Sequence, residues 1–210
     1  MIASQPKDWT GNANSIWKTL GASNHTEKER QSEDYYATDS IAIDKLLQVE
    51  TPNENIWEPA AGGGHLSSRL SDYGFNIYST DIVDRGYPLN SLQNFLFVDK
   101  ESLPFGGNFD IITNPPYSQA KDFVLKALEL LPDNHKCYMF LKLTFLEGKA
   151  RYNQIFSTHP PRKVYVFSER VMCAKNGDFQ RMKEGGGSAV AYAWFVWQKG
   201  FTGSPEINWI

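Results

Sequence analysis

The feature that most constrains this chain is an alternation. Short apolar runs at 55–59, 76–81, 94–98, 109–113, 137–145, 163–168 and 190–198 are separated by helical or turn-rich segments. Runs of this length, rich in β-branched and aromatic residues, read as strands. Between them, 65–73, 118–131 and 147–156 read as helices. In 118–131 the residues Ala120, Phe123, Val124, Ala127, Leu128 and Leu131 recur at three- and four-residue steps, which gives one apolar helix face. Pro132 then stops the pattern, because it has no N–H and clashes with the preceding turn. An amphipathic helix is also expected over Ala37–Val49, through Ile41, Ile43, Leu46 and Leu47, with Thr38 or Asp39 as its N-cap.

Strand–helix alternation requires a parallel sheet covered by helices. The expected fold is therefore α/β and Rossmann-like, a seven-stranded, mostly parallel sheet with helices on both faces and an antiparallel hairpin at one edge. The aromatics Trp194, Phe195 and Trp197 alternate with sheet period in the last run and belong to the core. Residues 1–33 are polar and aperiodic and read as a flexible N-terminal arm, so the domain is placed at 34–210. With 41% hydrophobic and 21% charged residues the chain is globular, not disordered or fibrous. No apolar run reaches the roughly 18 residues of a membrane span, and MIASQPKDWTGNANS lacks a secretory apolar region. A cytoplasmic protein with no membrane partner is expected. Only Cys137 and Cys173 are present, which excludes a disulfide scaffold or four-cysteine zinc site. Cys137 reads as core and Cys173 as the more exposed of the two. No residue set suggests a bound metal.

The net charge of −3 conceals an asymmetry, −8 over 1–117 and +5 over 118–210. The basic stretch carries Lys142, Lys149, Arg151, Arg162, Lys163, Arg170, Lys175, Arg181 and Lys183. A small-cofactor half joined to a phosphate-facing half would show such a reversal.

Glu58-Pro59-Ala60-Ala61-Gly62-Gly63-Gly64 follows the first of these runs and precedes a helix that His65 opens. Glycines there let the backbone approach a ligand closely, and the following helix start offers free N–H groups. The loop lacks the GK[ST] ending of a phosphate-binding loop and the spaced third glycine of a dinucleotide turn. An anion at Glu58 would repel pyrophosphate and suits a cationic ligand. Asp81 ends the second run at a spacing that reaches ribose hydroxyls in doubly wound folds, and Asp99 follows the third. The three acids and the loop together point to an adenosyl ligand bearing positive charge.

Asn114-Pro115-Pro116-Tyr117 stands at the end of the fourth run. Together with EPAAGGG upstream, this NPPY motif resembles the class I S-adenosylmethionine-dependent methyltransferases, in particular those that modify adenine N6. The matching motifs run from about 34 to 199. The resemblance implies S-adenosylmethionine as cofactor, held by Tyr36, Thr38, Glu58, Pro59, Ala60, Gly62, Gly64, Asp81, Ile82, Asp99 and Asn114. Asp39 departs from the family, where proline is common at that position. The implied catalytic residues are Asn114, Pro115, Pro116 and Tyr117. The Asn114 side-chain oxygen and the Pro115 carbonyl would each accept one N–H of the target amine, leaving its lone pair facing the methyl donor. Tyr117 would stack on a base flipped out of the duplex.

The segments 19–25 and 193–197 are similar to small stand-alone adenine methyltransferases of phages and mobile elements. DNA is the expected partner, with RNA adenine, cytosine N4 and protein glutamine as alternative targets. A non-catalytic nucleic-acid-binding subunit is the reading from another class. Large relatives carry a separate target-recognition domain. Here that role is expected of 169–188, which holds Arg170, Lys175, Phe179, Arg181 and Lys183, with Gly185–Gly187 as hinge. Glu147 and Lys149 read as helix-start charges.

Overall fold

The computed structural model describes residues 35–175, 177–184 and 190–210. The expected arm at 1–33 and the glycine hinge at 185–187 lie outside the described residues. In chain order the elements are β1 (Tyr36–Thr38), α1 (Ile41–Leu47), β2 (Asn55–Glu58), α2 (His65–Asp72), β3 (Asn76–Asp81), β4 (Ser91–Leu92), β5 (Asp110–Thr113), α3 (Ala120–Leu130), β6 (Lys136–Lys142), α4 (Lys149–Arg151), β7 (Lys163–Val166), β8 (Cys173–Lys175), α5 (Phe179–Glu184), β9 (Tyr192–Gln198) and β10 (Glu206–Trp209). One sheet runs β10-β7-β9-β6-β5-β2-β3-β4, and β1 pairs with β8 alone.

The sheet is α/β and mostly parallel as expected, but it has eight strands where seven were predicted. The expected edge hairpin is corrected too. Strand β9 lies between β6 and β7, antiparallel to both, and β10 forms the edge by pairing parallel to β7. The run 94–98 is not a strand. The Asn94 side chain accepts the Leu96 N–H at 3.0 Å and starts a 3₁₀ turn over Phe95–Phe97. Local side-chain capping of this kind competes with ladder formation. The turn drives Phe95 against Trp57 and Phe123, with ring centroids 5.2 and 5.0 Å apart. The expected helix over 37–49 shortens to α1, because Tyr36–Thr38 is taken by β1. Its N-cap is Ser40 and not Thr38 or Asp39, although Asp39 Oδ1 accepts the Ile41 N–H at 3.2 Å. The helix expected at 147–156 begins at Lys149 and widens into a π-helical turn over Tyr152–Phe156.

Side-chain alternation divides the core into two layers, one on each face of the sheet. In β2, Trp57 packs with α3 residues Phe123, Val124 and Ala127. Its neighbour Ile56 packs with Ile43 and Leu46 of α1 and Leu66 and Leu70 of α2. In β9, Phe195 and Trp197 join the first layer and Trp194 the second, all of them buried as expected. The buried indoles find acceptors, Trp57 at Thr80 Oγ1 (3.0 Å) and Trp194 at the Ala42 carbonyl (2.9 Å).

The amino-terminal end of the sheet is closed by charge pairing. Glu50 accepts from Lys136 Nζ at 2.6 Å, Lys163 Nζ at 3.0 Å and Tyr165 Oη at 2.6 Å. Burial alone would raise its pKa, but bonds from Lys136, Tyr165 and Lys163 outweigh that and hold it at about 2. Beside it Asp110 accepts the backbone N–H groups of Lys136 and Asn53, each at 2.9 Å. The carboxyl-terminal end is where β2, β3 and β5 deliver the glycine loop, Asp81 and the NPPY motif.

Candidate active site

The glycine loop leaves β2 in a turn that needs left-handed backbone at Gly62 (φ 55°) and Gly64 (φ 75°). Space forbids a side chain as well. A Cβ on Gly62 would sit 2.1 Å from the Tyr35 ring, and one on Gly64 would sit 2.0 Å from the Tyr87 ring. Asp81 Oδ2 accepts the Gly62 N–H at 2.7 Å, and Asp81 Oδ1 accepts the Val83 N–H at 2.9 Å. Tyr35 Oη accepts the Gly63 N–H at 2.8 Å and lies 3.1 Å from His65 Nδ1. The Arg85 guanidinium sits 4.6 Å from the centre of the Tyr35 ring. Burial raises the Tyr35 pKa and lowers that of His65. His65 opens α2, as expected.

Glu58 does not stand as a free anion at the rim. It is buried beneath the loop, where the Ser67 hydroxyl of α2 donates to its Oε2, and Ser67 Oγ in turn lies 2.6 Å from Ser79 Oγ. Burial raises its pKa to about 8 against the Ser67 bonds, and the nearby Asp81 adds to the rise. The carboxyl is therefore mostly neutral at pH 7. Pro59 is buried and Ala60 half-buried behind the loop. Ile82 is 66% exposed beside Asp81. Asp99, expected at a strand end, instead precedes the 3₁₀ turn Lys100–Ser102, exposed.

Asn114 leaves β5 with its amide held in one orientation. Nδ2 donates to the Tyr36 carbonyl at 2.8 Å and Thr38 Oγ1 at 2.9 Å, and lies 3.5 Å from Cys173 Sγ. A carbonyl can only accept, so the amide nitrogen must face Tyr36 and the oxygen must face away. Among the described residues, Asn114 Oδ1 and Thr113 Oγ1 are the buried side-chain polar atoms without a partner. Tyr36 and Thr38, predicted at the cofactor, thus lie against the NPPY asparagine.

Tyr117 is half-buried. Its ring stacks on Tyr192 (centroids 6.1 Å, 28° apart), and Lys142 Nζ lies 4.8 Å from its centre. Its hydroxyl lies 3.3 Å from Cys173 Sγ. Burial, with Cys173 and Tyr192 beside it, raises its pKa well above the ordinary tyrosine range.

The segment 169–188 was expected as a loop that reads the target. Its middle is instead β8, paired antiparallel with β1 so that Thr38 faces Cys173. This pairing overturns the expected exposure of Cys173, which is 2% exposed. Cys137 is buried, as expected. Helix α5 follows, and Phe179 meets the His65 ring at 5.7 Å. A cavity of about 240 Å³ opens beside Tyr192, lined by Phe167, Ser168, Glu169, Arg170 and Val171. Of the residues at the site, Tyr87, Arg85 and Tyr192 were not singled out from the sequence, and Cys173 was read only as the more exposed cysteine. Arg85 and Tyr87 stand in a polar stretch that carries no positional signal, Tyr192 is one aromatic among several in an apolar run, and Cys173 acquires its neighbours only through the β1–β8 pairing. Among the described residues, no group of three or more His, Cys, Asp or Glu is placed to hold a metal, and no helix is long and apolar enough to cross a membrane.

No family model matches the chain, and no curated protein matches it. Solved structures do share its fold. A modification subunit of a candidate type I restriction enzyme from Vibrio vulnificus YJ016 aligns at TM-score 0.55 and 12% identity, over 94% of this chain and 50% of that one. A predicted O-methyltransferase from Agrobacterium tumefaciens aligns at TM-score 0.51 and 14% identity, over 81% of this chain and 84% of that one. A candidate hemolysin from Streptococcus thermophilus aligns at TM-score 0.54 and 9% identity, over 80% and 68%. The likeness is one of fold, a mixed α/β sheet of the kind found in methyltransferases.

Proposed function

We propose that the chain transfers a methyl group from S-adenosylmethionine to the exocyclic N6 amine of adenine in DNA. The observation that carries this reading is the buried, unpartnered Asn114 Oδ1, held beside Tyr117 by an amide that cannot flip without opposing two oxygens. A buried acceptor without a partner costs about 1–3 kcal/mol. Such a cost is expected where a substrate N–H completes the bond.

The residues present fit the cofactor. Gly62 and Gly64 leave room for the Tyr35 and Tyr87 rings to line the loop, Asp81 retains lone pairs for ribose hydroxyls, and Ile82 offers an exposed apolar face beside it. Asp99 is free to meet the adenine amine of the cofactor. Glu58 acts beneath the loop, bracing α2 through Ser67. When bound, S-adenosylmethionine supplies an electrophilic methyl on a sulfonium. The chain's own work is on the target. Asn114 Oδ1 and the Pro115 carbonyl accept the two amine hydrogens and stabilise the positive charge that develops on nitrogen. Pro115 and Pro116 restrict the backbone that carries that carbonyl. Tyr117, anchored through its hydroxyl, presents a ring on which the flipped base stacks, a contact worth about 1–3 kcal/mol. No side-chain base is required, since the methylated ammonium loses its proton readily.

The fold likeness to a modification subunit and to an O-methyltransferase supports the reaction class, and Lys142 over the Tyr117 ring supports a polyanionic substrate. The test is transfer of labelled methyl from S-adenosylmethionine into DNA, RNA and protein, followed by nucleoside analysis. N6-methyladenine in DNA is expected. Label confined to RNA or protein would overturn the substrate, and no label anywhere would overturn the reaction.

A further inference from the structure

The β1–β8 ribbon lies outside the main sheet, yet one of its side chains touches two residues that the proposed reaction uses, Asn114 and Tyr117. Cys173 Sγ is 3.5 Å from Asn114 Nδ2 and 3.3 Å from Tyr117 Oη, and 3.7 Å from the Tyr36 carbonyl. Nothing in the transfer chemistry calls for a thiol. We infer that Cys173 is a positioning residue, a hydrogen-bond junction that fixes the Asn114 amide and the Tyr117 ring relative to each other before the target base arrives.

Donor counting supports this. The Asn114 amide nitrogen carries two hydrogens. The Tyr36 carbonyl takes one at 2.8 Å, and Thr38 Oγ1 shares the other at 2.9 Å with the longer, weaker acceptor Cys173 Sγ. The thiol hydrogen has an acceptor in the same Tyr36 carbonyl, which leaves sulfur lone pairs for the Tyr117 hydroxyl. The circuit closes without placing a donor on Asn114 Oδ1, the atom left unpartnered. Burial raises the thiol pKa, in keeping with a protonated group that donates and accepts. The register Thr38↔Cys173 brings a hydroxyl and a thiol from opposite strands to one amide.

The inference rests on the proposed function for its meaning, so its test has one arm that depends on activity and one that does not. In the first, Cys173→Val, which removes the hydrogen bonds at similar volume, is compared with Cys173→Ser, which keeps donor and acceptor. Cys173→Val is expected to lower kcat about tenfold with the affinity for S-adenosylmethionine unchanged within twofold. Cys173→Ser is expected to stay within threefold of the parent. In the second arm, the Asn114 side-chain NH₂ signals, identified by their loss in Asn114→Asp, are followed in ¹⁵N-labelled protein without substrate. They are expected to shift in Cys173→Val and to return towards the parent positions in Cys173→Ser. Unshifted signals in Cys173→Val, or a parental kcat in that variant, would overturn the inference. Should Cys173→Val fail to fold, the same two readings fall to Cys173→Ala, which removes the hydrogen bonds without adding bulk. A shifted amide with kcat lowered is then expected, and parental values of both would overturn it. Absence of methyl transfer by the parent protein would count against the proposed function alone, because the amide signals still report the positioning.

Discussion

Two buried glutamates at opposite ends of the same sheet divide its labour. Glu50, at the amino-terminal end, is met by Lys136, Lys163, Tyr165 and Tyr138 and holds its charge, with a pKa of about 2. Glu58, at the carboxyl-terminal end, is met by one serine and holds its proton, with a pKa of about 8. The residues differ by nothing but their neighbours. Where the sheet is only held together, polar groups are matched in full. Where the glycine loop and NPPY motif emerge, burial runs ahead of pairing, and Asn114 Oδ1 and Thr113 Oγ1 are left unpartnered. Incompletely satisfied polar groups cluster at functional sites because a ligand completes them.

If the two ends are specialised, substitutions at one should alter turnover and at the other stability. The largest effect is expected from Asn114→Ala. Loss of an acceptor used at the transition state should lower transfer by about 10²–10³-fold, with cofactor affinity by calorimetry within a few-fold. Loss of cofactor binding together with activity would instead make Asn114 structural. Next, Glu50→Ala should leave kcat unchanged and lower unfolding free energy in urea. Removing one partner of a buried pair costs about 3–5 kcal/mol. Here about 2–3 kcal/mol is expected, because the Lys136 and Lys163 side chains keep 24% and 25% of their exposure and water can take them back. A fall in kcat of tenfold or more at a temperature where the variant stays folded would break the division. Gly64→Ala returns to the carboxyl-terminal end. A left-handed alanine costs about 1–2 kcal/mol, and its Cβ would also displace the Tyr87 ring. Binding of S-adenosylmethionine should weaken about tenfold, measured by calorimetry.

The sequence exposes the carboxyl-terminal end of the sheet, with its candidate site, far better than the amino-terminal one. The glycine loop, Asp81 and NPPY are contiguous signals, each needing residue types that few other roles demand, and the structure carries all three on the carboxyl-terminal ends of neighbouring strands. The Glu50 cluster could not be read, because it gathers positions 50, 136, 138, 163 and 165 from three separate segments. Cys173 was misread for the same reason, since its neighbours arrive through a pairing of Tyr36–Thr38 with a segment more than 130 residues away. The missed strand β10 has a different cause. It lies at the sheet edge with Ile207 52% and Trp209 70% exposed, so burial imposes little pattern on it. The run 94–98 misled because its apolar residues do enter the core, but through a turn capped by Asn94.

The smallest expected effect tests the comparison most directly, through pH. An unfolded chain releases the Glu58 proton near pH 4.5, whereas the folded one keeps it to about 8. Across that window the folded state binds more protons, so its stability falls as pH rises. Glu58→Gln cannot titrate. Its unfolding free energy should therefore gain on the parent between pH 4.5 and 8 and run parallel outside that range, by about 1 kcal/mol once polarisation of the site is allowed for. Glu50→Gln should show the opposite slope. There the folded pKa lies below the unfolded one, so the parent's advantage is complete above pH 4.5 and disappears as pH falls towards 2. Urea midpoints of the three proteins at pH 3, 4, 6 and 9 decide it. Two difference curves of opposite slope mean that one sheet holds a charge at one end and a proton at the other. If Glu58→Gln tracks the parent at every pH, Glu58 is ionised beneath the glycine loop, and the ends differ only in how their charges are paired.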